Sequence, residues 1–416
     1  MRTKPKRLFC ETDAGWLFAT VLLLASLAVV LAPSVIRAQD TDGTRFNIYG
    51  FAMLDMGYQT GQNDPNWFDV LRPTKLPAYE DQFGKDGHFF SGVRQSRFGV
   101  KSWTKTPLGE LKTTFEFDLF GVGGDAGQTT IRPRHIYGEL GQFGAGQTNS
   151  PFMDVDVFPN SLDYWGPCGM LFFRNVQVRW MPVQGDSRVT FAIERPGASG
   201  DAGDYSSYSQ VSSGIKGRFP LPDLSAEFRM GRPWGYVEAA GIVRYMKWDD
   251  VVKDEYELGG DAVGWGVSLS TNLKVQKDVL RLQFVYGEGI QNYFNDATVD
   301  VGLKPNPGNA VTPVEVEPIP VTGIVAFYDR TWNDKWTSTA GYSRLDMDNT
   351  EGQSDNAFKT GQYALVNLLY NPTSGVMLGP EIQWIKRENF KDGWSVDDLR
   401  VQFSFKYNFS YELGGK

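Results

Sequence analysis

Between Leu399 and Tyr411 every odd position is aliphatic or aromatic, and Arg400, Gln402, Ser404, Lys406, Asn408 and Ser410 fall between them. Successive side chains of a strand point to opposite faces, so this segment has one apolar and one polar face. Its length matches the ~9–11 residues of a tilted strand that crosses a bilayer, which predicts lipid outside and water inside. The same alternation recurs upstream. In 93–103 Phe98 and Val100 take the outer face and Gln95, Arg97 and Lys101 the inner one; in 109–120 Leu111, Phe115, Phe117 and Leu119 face out, with Lys112, Glu116 and Asp118 inside. Val176, Val178 and Trp180 leave Asn175, Gln177 and Arg179 inward, and Leu224, Phe228 and Met230 leave Glu227 and Arg229 inward. Arg188, Arg244, Arg281, Arg387 and Arg400 fall inside by the same rule, as do Asp55, Glu194, Glu238 and Glu381. A Lys or Arg on the lipid face at midplane would cost ~2–4 kcal/mol, which supports this parity. The stretch from Ile131 to Leu140 resists it. With Arg132 and Arg134 inside, strict alternation sends Glu139 to lipid, so a bulge or strand end near Tyr137 is predicted.

The connections sort by length. Residues 59–92, 121–129, 149–173, 196–223, 249–260, 291–320, 347–359 and 388–396 are long and polar. Between them lie short turns near Thr106-Pro-Leu-Gly109, Gly141, Pro182-Val-Gln-Gly-Asp186, Arg232-Pro-Trp-Gly235, Gln276-Lys-Asp278, Asn333-Asp334 and Asn371-Pro-Thr-Ser-Gly375. Long and short alternate without a parity error. The fold class is therefore all-β, a transmembrane antiparallel β-barrel of about 16 strands with both termini on the short-turn side.

The third long connection stands apart. Phe152, Val155, Phe158, Leu162, Tyr164 and Trp165 are too apolar for an exposed loop, so it is expected to fold into the barrel and narrow it. It would then set Asp154, Asp156 and Asp163 against a wall of Arg97, Lys101, Arg132 and Arg134, giving a transverse field at the constriction. Arg174 and Arg179, just beyond the loop, complete the expected pore lining. The competing reading latches this loop onto a neighbouring subunit.

Composition changes the picture at the N-terminus. Arg2, Lys4, Lys6 and Arg7 precede an apolar run from Trp16 to Leu31, and Val35-Ile-Arg-Ala38 offers a small residue for cleavage before Gln39. That predicts a signal peptide over 1–38 and a barrel domain over 39–416, exported to the bacterial outer membrane. Mean hydropathy is −0.33, with 46 glycines and 14% aromatics, the average expected when each strand is half polar. The chain carries −8; removing a segment with five Lys/Arg and two Asp/Glu leaves −11, so nucleic acid is excluded as a partner. Guanidinium groups on the inner face instead weakly favour small anionic solutes, through forks that suit planar carboxylates, with the inward Asp and Glu tempering that field. The competing reading pairs these Arg and carboxylate residues across the wall to keep a wide lumen wet. Outer-membrane lipid and lipopolysaccharide are the other expected partners.

No enzyme is legible. His88 and His135 lack a hydrolase arrangement, no Gly-x-Ser-x-Gly or Walker motif occurs, and no cofactor or metal is expected. Cys10 leaves with the signal, and Cys168 alone cannot form an internal disulfide. The alternative class is a soluble periplasmic carbohydrate-binding β protein, resting on abundant Trp, Tyr and Asp; release by osmotic shock would distinguish it from a barrel that needs detergent.

Gly146-Gln-Thr-Asn-Ser-Pro-Phe-Met-Asp-Val-Asp-Val-Phe-Pro159, then Leu162-Asp-Tyr-Trp-Gly-Pro167, then Phe173-Arg-Asn-Val-Gln-Val-Arg179, resembles the constriction-loop region of the DcaP-like outer-membrane porins. Ile48-Tyr-Gly-Phe51 and Gln95-Ser-Arg-Phe-Gly-Val-Lys101 resemble the opening strands of porins generally. The resemblance implies a homotrimer of sixteen-stranded barrels passing small, often negatively charged solutes such as dicarboxylates. Some members carry a helical segment before the barrel; here few residues separate Gln39 from the first strand, so a trimer would rest on barrel contacts alone. The chain also continues past Phe409 and Tyr411, where porins commonly end.

Overall fold

The computed structural model describes residues 43–414; the expected signal peptide and its cleavage site lie outside the described residues. Nineteen hydrogen-bonded segments form one antiparallel sheet, and three strands are each broken in two, leaving sixteen strands around the ring. In chain order they are β1 (Thr44–Gln59), β2 (His88–Gly92 and Arg97–Thr106), β3 (Gly109–Phe120), β4 (Thr129–Leu140), β5 (Phe143–Asn149) and β6 (Arg174–Val183). There follow β7 (Arg188–Glu194), β8 (Ile215–Arg218 and Asp223–Arg232), β9 (Gly235–Asp250), β10 (Gly260–Val275) and β11 (Asp278–Glu288). The ring is completed by β12 (Pro320–Thr331), β13 (Trp336–Met347), β14 (Phe358–Asn367 and Leu369–Thr373), β15 (Val376–Asn389) and β16 (Ser395–Gly414). β16 pairs back onto β1, from Arg45 opposite Gly414 to Gln59 opposite Arg400. Closure leaves no strand edge, as hydrocarbon requires of any sheet that spans it.

The faces follow the alternation. Phe115, Val178, Leu224, Phe228, Leu269 and Val401 are exposed on the outside, whereas Arg400, Gln402 and Ser404 of β16 are wholly buried inside. A closed barrel with this apolar exterior leaves no place for the soluble periplasmic alternative. Short turns need tight geometry, as at Gly235: its φ is +133°, and a Cβ there would meet the Asn272 carbonyl oxygen at 1.9 Å.

β4 contains the irregularity that its sequence demands. Glu116 pairs with His135 and Phe117 with Pro133, so Arg134 is the extra residue of a bulge. The bulge sits three positions before Tyr137, the expected place. It keeps Arg134 beside Glu116 while letting Glu139 lie opposite Lys112, on the same inward face.

The lumen is not uniformly wet. A hydrophobic core fills much of it, built from Leu71 and Leu76 of the first long connection, Phe152, Met153, Val157, Met170 and Leu171 of the third, and Ile290, Tyr293 and Phe294 of the sixth. These pack on inward side chains of β9 and β11–β15: Ala240, Ile242, Val285, Val325, Phe327, Leu345, Tyr363, Leu365 and Ile385. Each large apolar side chain so buried is worth about 1.5–3 kcal/mol over exposure. Segments Gly200–Asp201, Val301–Pro305 and Val314–Pro318 make a separate three-stranded sheet that joins the fourth and sixth connections.

Candidate functional site

Loop carbonyls brought into a dry interior need donors, and the inward arginines supply them. Arg400 donates to the carbonyl oxygens of Phe68 and Val70 at 2.9 and 3.1 Å, and Arg387 to those of Thr74 and Leu76 at 3.3 and 3.4 Å, so both hold the first connection. Arg244 bridges Asp223 on β8 and Asp300 in the sixth connection at 3.0 and 2.9 Å, and donates to the Gly197 and Gly289 carbonyls. These guanidinium groups fasten loops and are not presented to solute.

The third connection meets strands all around the ring. The backbone N–H groups of Leu162 and Asp163 donate to Glu381 on β15 at 2.7 and 2.9 Å, and Gly169 donates to Ser343 on β13 at 2.9 Å. Ser150 donates to Glu194 on β7 at 2.6 Å, and the Tyr164 hydroxyl joins Asp118, Arg132 and Arg134 on β3 and β4. Such anchoring fixes the loop against the wall rather than leaving it to solvent.

Between this loop and the wall of β1, β2, β4, β6 and β16 lies a cavity of about 700 Å³. Arg72, Arg97, Arg132, Arg134, Arg174 and Lys406 all line it. Three carboxylates pair with four of these. Arg72 meets Asp296 at 2.8 Å; Arg132 and Arg134 meet Asp118 at 2.7 and 3.0 Å; Arg134 and Arg97 meet Glu116 at 2.7 and 3.6 Å. Arg72 is also sandwiched by Trp67 and Trp165, its guanidinium carbon 4.2 and 4.3 Å from the ring centres. Among the described residues no carboxylate lies within 4.0 Å of Arg174 or Lys406. Arg97 Nε and Arg174 Nη1 are buried donors without a protein partner.

The sequence-predicted residues divide. Arg97, Arg132, Arg134 and Arg174 converge on the cavity, but Lys101 rests over the Tyr49 ring at 4.9 Å. Arg179 is taken up by the Gln177 side chain and the Asn149 carbonyl. The expected facing of Asp154, Asp156 and Asp163 against the arginine wall is corrected. Asp154 accepts from Arg229, Tyr236 and Ser270 at 2.6 Å each, and Asp156 also pairs with Arg229, on β8. Asp163 borders the cavity with its carboxylate turned away, accepting from the Gly166 N–H at 2.9 Å and the Tyr363 hydroxyl at 3.1 Å. Buried carboxylates seek donors, and the loop backbone, β8 and β14 offer nearer ones than the arginine wall. Burial pushes the Asp163 carboxyl above its ordinary value, opposed by the positive charge of Arg400.

Two cavity cations escaped sequence selection. Lys406 was on the correct face by alternation, yet nothing in its strand ranked it above Arg400, which the first connection consumes. Arg72 lies in a connection whose polar composition points outward; its dependence on two tryptophans from separate loops has no local signal.

The sequence profile of the DcaP outer membrane protein family matches residues 41–409. In fold the chain is similar to the outer membrane channel DcaP of Acinetobacter baumannii at 22% identity and TM-score 0.73, over 89% of this chain and 99% of that one. It is also similar to an anion-selective porin from Comamonas acidovorans, at 10% identity and TM-score 0.55 over 88% of this chain and 100% of the porin. A trimer form of Vibrio cholerae OmpT gives 14% identity and TM-score 0.51, over 88% and 100%. No curated protein matches the chain in sequence.

Proposed function

The chain belongs to the DcaP outer membrane protein family, and from that premise we propose that it is a passive channel of the outer membrane for small hydrophilic solutes, favouring anionic ones such as dicarboxylates. The observation that carries this reading is the charge of the cavity: six cationic side chains line it, and three carboxylates pair with four of them. A positive excess inside a low-dielectric wall concentrates anions and repels cations. Arg97, Arg132, Arg134 and Arg174 border the path, and the third connection narrows it beside them. Guanidinium forks then supply paired donors to a carboxylate that has shed part of its water. Asp154, Asp156 and Asp163 anchor the constriction instead of facing the solute.

In this reading residues 1–38 direct export and 39–416 form the barrel, which assembles as a homotrimer among outer-membrane lipid and lipopolysaccharide. The trimer form of the Vibrio cholerae neighbour supports that assembly. No chemistry is required of the channel, since the solute moves down its own gradient.

Reconstitution in planar bilayers under a tenfold KCl gradient tests the proposal. The zero-current potential should take the sign of chloride permeation. A potential of the opposite sign would refute anion preference.

A further inference from the structure

We infer that Lys406 and Arg174 are the residues that set charge specificity, and that the other cavity arginines chiefly hold the wall and its loops; this rests on the anion-channel reading above. The distinction comes from what each cation touches. Arg72 is matched by Asp296, while Arg97, Arg132 and Arg134 share Glu116 and Asp118. Arg132 and Arg134 also hold the Tyr164 hydroxyl of the third connection. The donors of Arg72, Arg132 and Arg134 are largely committed before any solute arrives; Arg97 keeps Nε unpartnered, but Glu116 at 3.6 Å offsets its charge.

Lys406 and Arg174 are held differently. Lys406 Nζ lies 4.1 Å from the centre of the Phe51 ring, and the Arg174 guanidinium carbon lies 5.2 Å from the centre of Phe172. An aromatic face attracts and positions a cation but carries no net charge, so it leaves the positive charge uncompensated. A carboxylate would cancel it. Arg174 also keeps Nη1 buried and unpartnered, a donor that an anion in the cavity would satisfy. Phe51 and Phe172 both line the same cavity, so each ring sets its cation at the edge of the space a solute must cross. Phe51 and Phe172 are thus positioning residues, and Lys406 and Arg174 the contacts.

The test compares removal of a free charge with removal of a neutral pair. Lys406→Gln and Arg174→Gln should each lower the chloride-to-potassium permeability ratio roughly threefold, from the loss of one uncompensated charge beside the path. Lys406→Arg and Arg174→Lys should retain it. The pair Lys304→Gln with Glu317→Gln removes a cation and its carboxylate together away from the cavity and should leave the ratio within error of the parent. A check independent of folding uses Lys406→Cys in open channels: a cationic thiol reagent should restore selectivity and an anionic one should reverse it. Cys168 is wholly buried and will not compete. If the parent channel selects anions but both Gln variants match it, or if the two reagents act alike, this inference is overturned. If the parent itself does not select anions, the failure belongs to the proposed function.

Discussion

The two sides of the lumen teach opposite lessons about an inward-facing position. On β9 and β11–β15, Ile242, Val285, Val325, Phe327, Leu345, Leu365 and Ile385 point inward and meet loop side chains, so that half is a dry core. On β1, β2, β4, β6 and β16, Arg97, Arg132, Arg134, Arg174 and Lys406 point inward and border open space. On the dry side the arginines are fasteners, and the wet side spends Arg400 of β16 in the same way. In the dry half Arg244 and Arg387 are spent on loop carbonyls and buried carboxylates; in the wet half, among the described residues, Arg174 and Lys406 have no carboxylate within 4.0 Å. A count of inward arginines therefore overstates the charge a solute meets.

The sharpest way to break this comparison is to remove a fastener of the dry half. Arg244→Gln leaves Asp223 and Asp300 buried without their cation, which should cost about 3–5 kcal/mol. The expected result is a lower midpoint of heat-modifiable gel migration and a larger, noisier single-channel current, as the sixth connection comes loose. Unchanged migration and current would mean that the dry half holds together without it.

A smaller effect should follow pH at the boundary between the halves. Burial raises the Asp163 carboxyl, so the folded state prefers its protonated form more than the unfolded chain does, whose carboxyl titrates near about 3.9. Its contribution to docking is then full below that unfolded value and is lost as pH rises through the folded one. Amide hydrogen exchange of residues 160–166, corrected for intrinsic rates, should accordingly be slower near pH 4 than at pH 7. Asp163→Asn, neutral throughout, should shrink the difference, leaving the part owed to Glu381, which accepts from the Leu162 and Asp163 N–H groups. Equal protection at both pH values in the parent, or an undiminished difference in the variant, would remove Asp163 from this role.

Much of the architecture was legible because a barrel ties parity to solvent. The alternation in β16, the inward Arg97 and Arg132, and the need for a bulge in β4 all follow from the cost of charge in lipid. The dry half was less visible. Val321-Thr-Gly-Ile-Val-Ala-Phe-Tyr328 in β12 is nearly apolar on both faces, the mark of a strand covered on both sides. The polar composition around Leu71 and Leu76 hid the fact that the first connection turns inward to cover it. The partners of Asp154 and Asp163 were also hidden, because they come from β8 and β14, far away in the chain. Local pattern fixes which face a side chain takes; it does not say whether water or protein waits there.

The division of the lumen is tested most directly by thiol accessibility in conducting channels. Cysteine placed at Arg97, on the wet wall, should react with a water-soluble methanethiosulfonate and step the current. Cysteine at Val325, on β12 in the dry core, should stay silent under the same exposure. Rapid modification at Val325 with no response at Arg97 would contradict the account, because solutes would then be crossing on the side held to be closed.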